Sequence, residues 1–343
     1  MIGMILCGGY GKRLRPITDS IPKPMVEIKS GYTLIDRQIF DFAASGVKKA
    51  VLLTGYLGDK IEEYLGREKF GVELVYVREE EPRGTLNAIR MATEIIDCEE
   101  KTLIIRNGDV ITDINLRKMI EYSKMHRNRM TMFVTRMKSP FGIVELGEKY
   151  VMAFREKPLL DIYINGGIYV IPSFSEDIFM HYESGDIEKT VFPELSRRGE
   201  LLYYKEDNIF WIAVDTTKEL ETLRKEYSDR TDKPWGYEKV LISTEKYLTK
   251  ELYIREGYRT SMHYHSEKDE TMYVISGSGY IEYEDGHKDS FGRNDTIRIK
   301  PGVAHTIVAT ENLLLHEVST PHLNDTVRVR DYYSIRMEGD KGY

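Results

Sequence analysis

Cysteine is scarce in this chain of 343 residues. There are two, Cys7 and Cys98, which give neither a disulfide framework nor a C-x-x-C metal pattern. Long apolar runs are missing: none approaches the roughly 18 residues that a membrane span needs. The apolar start, Met1–Leu6, is too short for the core of a signal peptide and has no basic residue before it. Excess positive charge is missing as well. The chain carries 49 Lys and Arg against 56 Asp and Glu, a net charge of -7, which argues against a general nucleic-acid binder. What is present suits packed cores: 41% of residues are hydrophobic, and the 31% that are charged are mixed in sign, so disorder is not expected. Histidine is almost confined to one end. Only His126 and His181 precede position 263, whereas His263, His265, His287, His305, His316 and His322 follow. The length favours two domains, and these absences together predict a soluble, cytoplasmic protein.

The N-terminal part alternates strand-like and helix-like segments. Met1–Leu6, Ala50–Thr54, Val72–Val77 and Leu103–Ile105 read as strands. Thr33 followed by Asp36 reads as a helix N-cap with its acid, in a helix that runs to Phe42 and stops by Gly46. Asp59–Leu65, Leu86–Ile96 and Lys218–Tyr227 read as further helices. This order implies an α/β fold with a mostly parallel, helix-flanked sheet. The charged stretch Ser228–Pro234 reads as a linker, so the expected domains are 1–229 and 230–343. Beyond it, short strand-like runs separated by Gly, Asp, Asn and Pro suggest an all-β barrel or jelly roll.

The stretch Gly8-Gly9-Tyr10-Gly11-Lys12-Arg13, just after the first strand, raises the question of phosphate binding. It is not a Walker A loop, because Leu6 stands where the first glycine belongs and Arg13 where Ser or Thr belongs. It is not a dinucleotide fingerprint, because Leu14 replaces the third glycine. Glycines after a first strand still let backbone N–H groups approach a phosphate. Arg13 and Lys23 supply cations nearby, one a planar fork and the other a point charge.

That segment, with Pro22-Lys23-Pro24, resembles the signature of the sugar-1-phosphate nucleotidyltransferases. Further stretches recur in the family's order: Pro82-Arg83-Gly84-Thr85, Asn107-Gly108-Asp109, Glu156-Lys157-Pro158, Asn165-Gly166-Gly167-Ile168-Tyr169 and Trp211–Thr216. The resemblance covers residues 1 to about 228. It implies a Rossmann-like nucleotidyltransferase domain that joins a nucleoside triphosphate to a sugar 1-phosphate and releases pyrophosphate. It also implies roles. Arg13 and Lys23 would act on the triphosphate and Lys157 on the sugar phosphate. Asp109 and Asp215 would hold Mg²⁺. Gly8, Gly9, Gly11, Gly84 and Thr85 would line the nucleotide, and Glu156, Asn165 and Gly166 the sugar. Both reactants are anions, so positioning and electrostatics are the catalytic need.

In the C-terminal part, Gly257-x₅-His263-x-His265-x₄-Glu270-x₆-Gly277 is followed by His305. Strand alternation puts His263 and His265 on one face. Three imidazoles and a carboxylate suit a divalent transition metal such as Zn, Fe or Mn. The pattern resembles the cupin superfamily over roughly 232–336, and Lys233–Glu238 is similar to cupins related to type II mannose-6-phosphate isomerase. Ser261 and Ser266 depart from the Gln and Arg of those isomerases, and the acid lies farther along. The leading expectation is a bifunctional enzyme that uses GTP and mannose 1-phosphate and interconverts mannose 6-phosphate and fructose 6-phosphate. The alternative keeps the transferase, with another base or sugar, and makes the cupin a non-catalytic sensor or dimerisation module. A homo-oligomer, a dimer, is expected, with no nucleic-acid or membrane partner.

Overall fold

The structure, a computed structural model, describes residues 1–335 apart from Pro82, Glu100, Arg127, Asn128, Met180 and Ser334 and the side chain of Glu176. The chain gathers into two compact units. One holds Met1–Val26, Val47–Arg67 and Glu73–Glu219; the other holds Glu27–Gly46, Glu68–Val72 and Leu220–Tyr343. The sequence reading instead divides the chain in a single cut at 229/230.

The first unit is built on a mixed sheet. Its strands lie in the order Leu201–Lys205, Met130–Lys138, Leu159–Ile171, Leu103–Asn107, Ile2–Leu6, Lys49–Thr54 and Val72–Arg78. Ile2–Leu6 is central. It runs parallel to Lys49–Thr54 on one side and to Leu103–Asn107 on the other. It is buried on both faces, which is why it reads as a continuous apolar run rather than an alternating one. Leu159–Ile171 then joins antiparallel. The helix Thr85–Ile95 lays Leu86, Ala88, Ile89 and Ala92 onto this core, at helical spacing. Each large aliphatic side chain so buried stabilises the unit by about 1.5–3 kcal/mol.

The second unit is two antiparallel sheets. One orders Arg230–Lys233, Gly236–Ser243, Leu248–Ile254, Leu313–Ser319, Glu270–Ser276 and Thr296–Ile299; the other orders Lys288–Phe291, Gly279–Tyr283, His305–Ala309, Met262–His265 and Thr326–Arg330. Inward residues from both, among them Leu252, Val274, Ile281, Ile307 and Leu315, form its core. This is the strand-rich jelly-roll arrangement expected of the C-terminal part. The helix Leu34–Ala44 belongs to this unit and starts at the expected capping box. Asp36 N–H donates to Thr33 Oγ1, and Thr33 N–H to Asp36 Oδ2; such a cap is worth about 1 kcal/mol.

The expected linker is overturned. Arg230–Lys233 is a strand paired with Gly236–Ser243. Its charges do not face water. Arg230 and Asp232 are 1% and 2% exposed, and Asp232 binds both Arg230, at 2.9 Å, and Arg37 of the helix, at 3.1 Å. A run of charges reads as solvated in sequence, but opposite charges that pair can be buried. Among the described residues no helix is long and apolar enough to cross a membrane.

Candidate active site and candidate metal centre

The register of the central strand builds the first site. Leu6 lies opposite Leu53 and Asn107, so the glycine loop and Asn107-Gly108-Asp109 emerge side by side at the same end of parallel strands. That end is where open α/β sheets bind ligands. The approach is close: a Cβ on Gly108 would stand 2.3 Å from the Leu6 carbonyl oxygen. A short antiparallel ribbon then pairs Val110–Thr112 with Trp211–Ala213. Val214 N–H donates to the Asp109 carbonyl at 2.9 Å. The ribbon thereby brings together two aspartates more than a hundred positions apart in the chain.

Between these elements is a cavity of about 420 Å³. Nine of the expected residues line it: Gly8, Gly9 and Gly11 of the loop, Arg13, Lys23, Gly84, Thr85, Asp109 and Asp215. Lys23 Nζ donates to Asp109 Oδ2 at 2.7 Å and to Asp215 Oδ1 at 2.9 Å. Arg13 reaches the same Asp215 oxygen at 2.8 Å. Two cations thus face two carboxylates, and Lys23 is the most enclosed of the four, 13% exposed. Thr85 is fixed at the helix start, where its Oγ1 accepts from Ile187 N–H and donates to Glu188. Gly84, at φ +98°, lets the loop pass against Gly185; an added Cβ would stand 2.3 Å from the Gly185 carbonyl. Pro82 of that loop lies outside the described residues.

The expected sugar residues are not among those lining this cavity. Lys157 pairs with its neighbour Glu156 at 3.4 Å, and its backbone is left-handed, at φ +44°. Asn165 donates to Tyr169 Oη and accepts from Gly167 N–H, and the Gly166 carbonyl accepts from Trp211 Nε1. Sequence reasoning missed Glu79, whose carboxylate lines the cavity and accepts from Asn87 at 2.6 Å. It precedes the recognised loop by a few positions and carries no motif of its own.

In the second unit, His263 lies directly opposite His305 in register, and their rings are 4.6 Å apart. His265 follows on the same face, with its ring 5.2 Å from that of His263. Glu270 comes from the other sheet. The four expected ligands therefore line one polar cavity of about 200 Å³. Each Nδ1 faces an acceptor: the Ser261 carbonyl at 2.8 Å, Asp325 at 2.8 Å and the Val303 carbonyl at 3.0 Å. These oxygens can only accept, so each Nδ1 carries the proton, which in a neutral ring leaves Nε2 as the atom that can ligate a metal. The Nε2 atoms of His305 and His265 lie 3.3 Å and 3.6 Å from Glu270. Burial, reinforced by the neighbouring His305, lowers His263 to a pKa of about 3, so it is neutral.

Against this stands Lys268, which sequence reasoning missed. Its Nζ donates to Glu270 at 2.7 Å and to Glu317 at 2.9 Å, and all three side chains are 4% exposed. Burial works to raise the Glu270 pKa. The hydrogen bond to His305 and the charge of Lys268 outweigh it and hold Glu270 below the usual carboxylate range. The carboxylate is thus already neutralised by an ammonium. Among the described residues no group of three or more His, Cys, Asp or Glu is gathered as a metal-holding set.

A glycine loop at the carboxyl ends of parallel strands, facing paired carboxylates and cations, is an arrangement suited to phosphate-bearing ligands. Residues 2–230 match the nucleotidyl transferase family, and residues 251–318 match the cupin domain family. The chain belongs to the nucleotidyl transferase family, with a cupin domain at its C-terminal side. It is 35% identical over 228 residues to a mannose-1-phosphate guanyltransferase of Yarrowia lipolytica, covering 64% of this chain and 62% of that protein. It is 34% identical over 227 residues to the mannose-1-phosphate guanylyltransferase catalytic subunit beta of Drosophila melanogaster, covering 64% and 60%. The chain thus spans about three fifths of the length of these curated relatives. Among solved structures, HddC from Yersinia pseudotuberculosis aligns with a TM-score of 0.53 at 24% identity, over 66% of this chain and 99% of that one. A UDP-glucose pyrophosphorylase complexed with UDP-glucose aligns at 0.52 and 16%, over 66% and 98%. At such identities the likeness speaks for the fold alone.

Proposed function

We propose that residues 1–229 form a sugar-1-phosphate nucleotidyltransferase, with GTP and mannose 1-phosphate as substrates, and that residues 230–343 form a cupin domain acting on a related sugar phosphate. The observation that carries the transferase reading is the meeting of Arg13, Lys23, Asp109 and Asp215 in one cavity beneath the glycine loop. The glycine-loop N–H groups bind the triphosphate, and Arg13 and Lys23 offset its charge and that of the departing pyrophosphate. Lys157 receives the sugar phosphate, while Glu156, Asn165 and Gly166 orient the sugar. The sugar phosphate oxygen attacks the α-phosphorus in line as pyrophosphate leaves. The two aspartates suit Mg²⁺, a hard ion that binds carboxylate and phosphate oxygens and lends electrostatic stabilisation.

Two observations support GTP. The curated relatives carry guanylyltransferase names. The cavity wall also offers the Glu79 carboxylate, and two acceptor oxygens match the N1–H and 2-amino donors of guanine better than any edge of uracil or adenine. The test is pyrophosphate release with GTP, ATP, UTP and dTTP, each paired with mannose 1-phosphate and glucose 1-phosphate, with Mg²⁺ present. GTP with mannose 1-phosphate should turn over fastest, and Glu79→Gln should cut that preference by tenfold or more. No turnover with any pair would end the transferase reading; an unchanged preference in Glu79→Gln would end the guanine assignment.

The cupin is proposed to interconvert mannose 6-phosphate and fructose 6-phosphate at a Zn, Fe or Mn ion held by His263, His265, Glu270 and His305. The histidine tautomers support the ligand set. The hold of Lys268 on Glu270 favours a second reading, in which the cupin is a non-catalytic sensor or a dimerisation module. Fructose 6-phosphate formation by metal-loaded protein separates the two. A homodimer in the cytoplasm, where nucleoside triphosphates are kept, completes the proposal.

A further inference from the structure

The two carboxylates that would hold a metal are already satisfied. Lys23 Nζ bridges them, at 2.7 Å from Asp109 Oδ2 and 2.9 Å from Asp215 Oδ1, and Arg13 adds a second contact to Asp215 at 2.8 Å. Two positive charges therefore offset two negative ones. Lys23 cannot drift far, because it follows Pro22 and begins a short 3-10 helix with Pro24 and Met25. Its side chain is mostly enclosed, so water screens the contact little. Arg13 is different: it is 71% exposed, so water screens its contact with Asp215.

A divalent ion approaching this pair alone meets an ammonium already bound to both carboxylates. To enter, it must displace Nζ, and the displaced charge then sits beside the ion with nothing in exchange. A triphosphate changes that exchange. It offers Nζ phosphate oxygens in place of the carboxylates, and the carboxylates become available to the ion. We infer that Lys23 is a tethered counter-ion that closes the Asp109–Asp215 pair to a free divalent ion and opens it to one arriving with a polyphosphate. Metal and nucleotide binding are then positively coupled through one side chain, and the coupling is reciprocal. Lys23 is here a positioning residue toward the metal, in addition to its contact with phosphate. The inference rests on the transferase reading for the identity of the polyphosphate, but its first test does not need turnover.

The test measures free Mn²⁺ bound by the full chain without nucleotide, by loss of the aqueous Mn²⁺ EPR signal, with His263 and His265 replaced by Ala throughout to silence the cupin. Lys23→Met should bind Mn²⁺ at least tenfold more tightly than the parent. Lys23→Arg keeps the charge and should stay within about threefold of the parent, against that tenfold, which is 1.4 kcal/mol. Lys23→Met combined with Asp109→Asn should lose the gain, which assigns the ion to the aspartate pair. A thermal melt checks folding: Mn²⁺ should raise the melting temperature of Lys23→Met more than that of the parent. If Lys23→Met binds Mn²⁺ no more tightly than the parent, or Lys23→Arg binds as tightly as Lys23→Met, the inference is wrong. Wild-type turnover without the Mn²⁺ effect would leave the transferase reading standing and remove only this inference. A clear Mn²⁺ effect in a protein that releases no pyrophosphate would do the reverse.

Discussion

Replacing Lys268 with Met removes one charge from the middle of the cupin cavity while keeping most of the side-chain length. Lys268 is 2.7 Å from Glu270 and 2.9 Å from Glu317, with all three 4% exposed. Without it, two carboxylates face each other across a space that had held an ammonium. Removing one partner of a buried ion pair costs roughly 3–5 kcal/mol, because the other charge stays buried. Protonation of one carboxylate would recover part of this, so the measurement belongs at pH 8. A divalent ion bound by Glu270 and the three histidines restores the balance. At a hundred times its dissociation constant it returns about 2.7 kcal/mol. The assay is urea unfolding followed by Trp235, which is 6% exposed within this unit, in a Trp211→Phe background so that a single tryptophan reports. Metal-free Lys268→Met should be about 3–5 kcal/mol less stable than the parent and should regain more stability from Zn²⁺ or Mn²⁺ than the parent does. Equal stability without metal, or equal gains with it, would refute the picture of Lys268 as the resident counter-ion of this site.

Two other outcomes follow from the geometry. Gly84→Ala places a Cβ 2.3 Å from the Gly185 carbonyl at φ +98°; the strain should cost about 1–3 kcal/mol and, by moving the Thr85 helix start, weaken nucleotide use, both visible in urea unfolding and pyrophosphate release. His263 is held neutral, with its pKa lowered to about 3 from 6.5, so the unfolded chain takes up a proton there before the folded one does. Metal-free stability should then be full above pH 6.5 and fall toward pH 3, by up to about 1.4 kcal/mol per pH unit. Unfolding curves at pH 7 and pH 5 check this, and a stability that does not fall would count against it.

Much of this was legible because the decisive residues sit at points where the backbone has little choice. Leu6 and Asn107 end strands that pair in register, so the motifs that follow them had to converge. The Thr33–Asp36 capping box fixed a helix start that the structure keeps. Strand alternation alone put His263 and His265 on one face. What was not legible depends on contacts between distant positions. Arg230–Lys233 looked like a linker because its charges read as solvated, and the partners that allow their burial include Arg37 and Tyr32, about two hundred positions earlier. Lys268 falls in the unspecified spacer between His265 and Glu270, where any residue satisfies the pattern. Its partner Glu317 and the His265 partner Asp325 come from later in the fold. Glu79 carries no motif and enters only as cavity wall.

Both sites share a feature that a ligand pattern alone does not contain. Each gathers carboxylates from separated segments into a partly or wholly buried place, and each places a lysine between them. The physical need is the same: like charges brought within a few ångströms of one another must be offset while no ligand is bound. The consequences differ because the lysines differ in what they can do next. Lys23 faces the cavity lined by the glycine loop, so a polyphosphate bound there would give it new partners and free both aspartates at once. Lys268 has Glu317 on its other side, so it can release Glu270 and stay neutralised without any incoming anion. Metal entry at the transferase site should therefore depend on nucleotide, whereas metal entry at the cupin should depend only on how far Lys268 leans toward Glu317. Titrating Mn²⁺ into the wild type with and without GTP separates the two. GTP should tighten the class of sites lost in Asp109→Asn and leave unchanged the class lost when His263 and His265 are replaced. A GTP effect on both classes alike would mean that the lysines do not act separately.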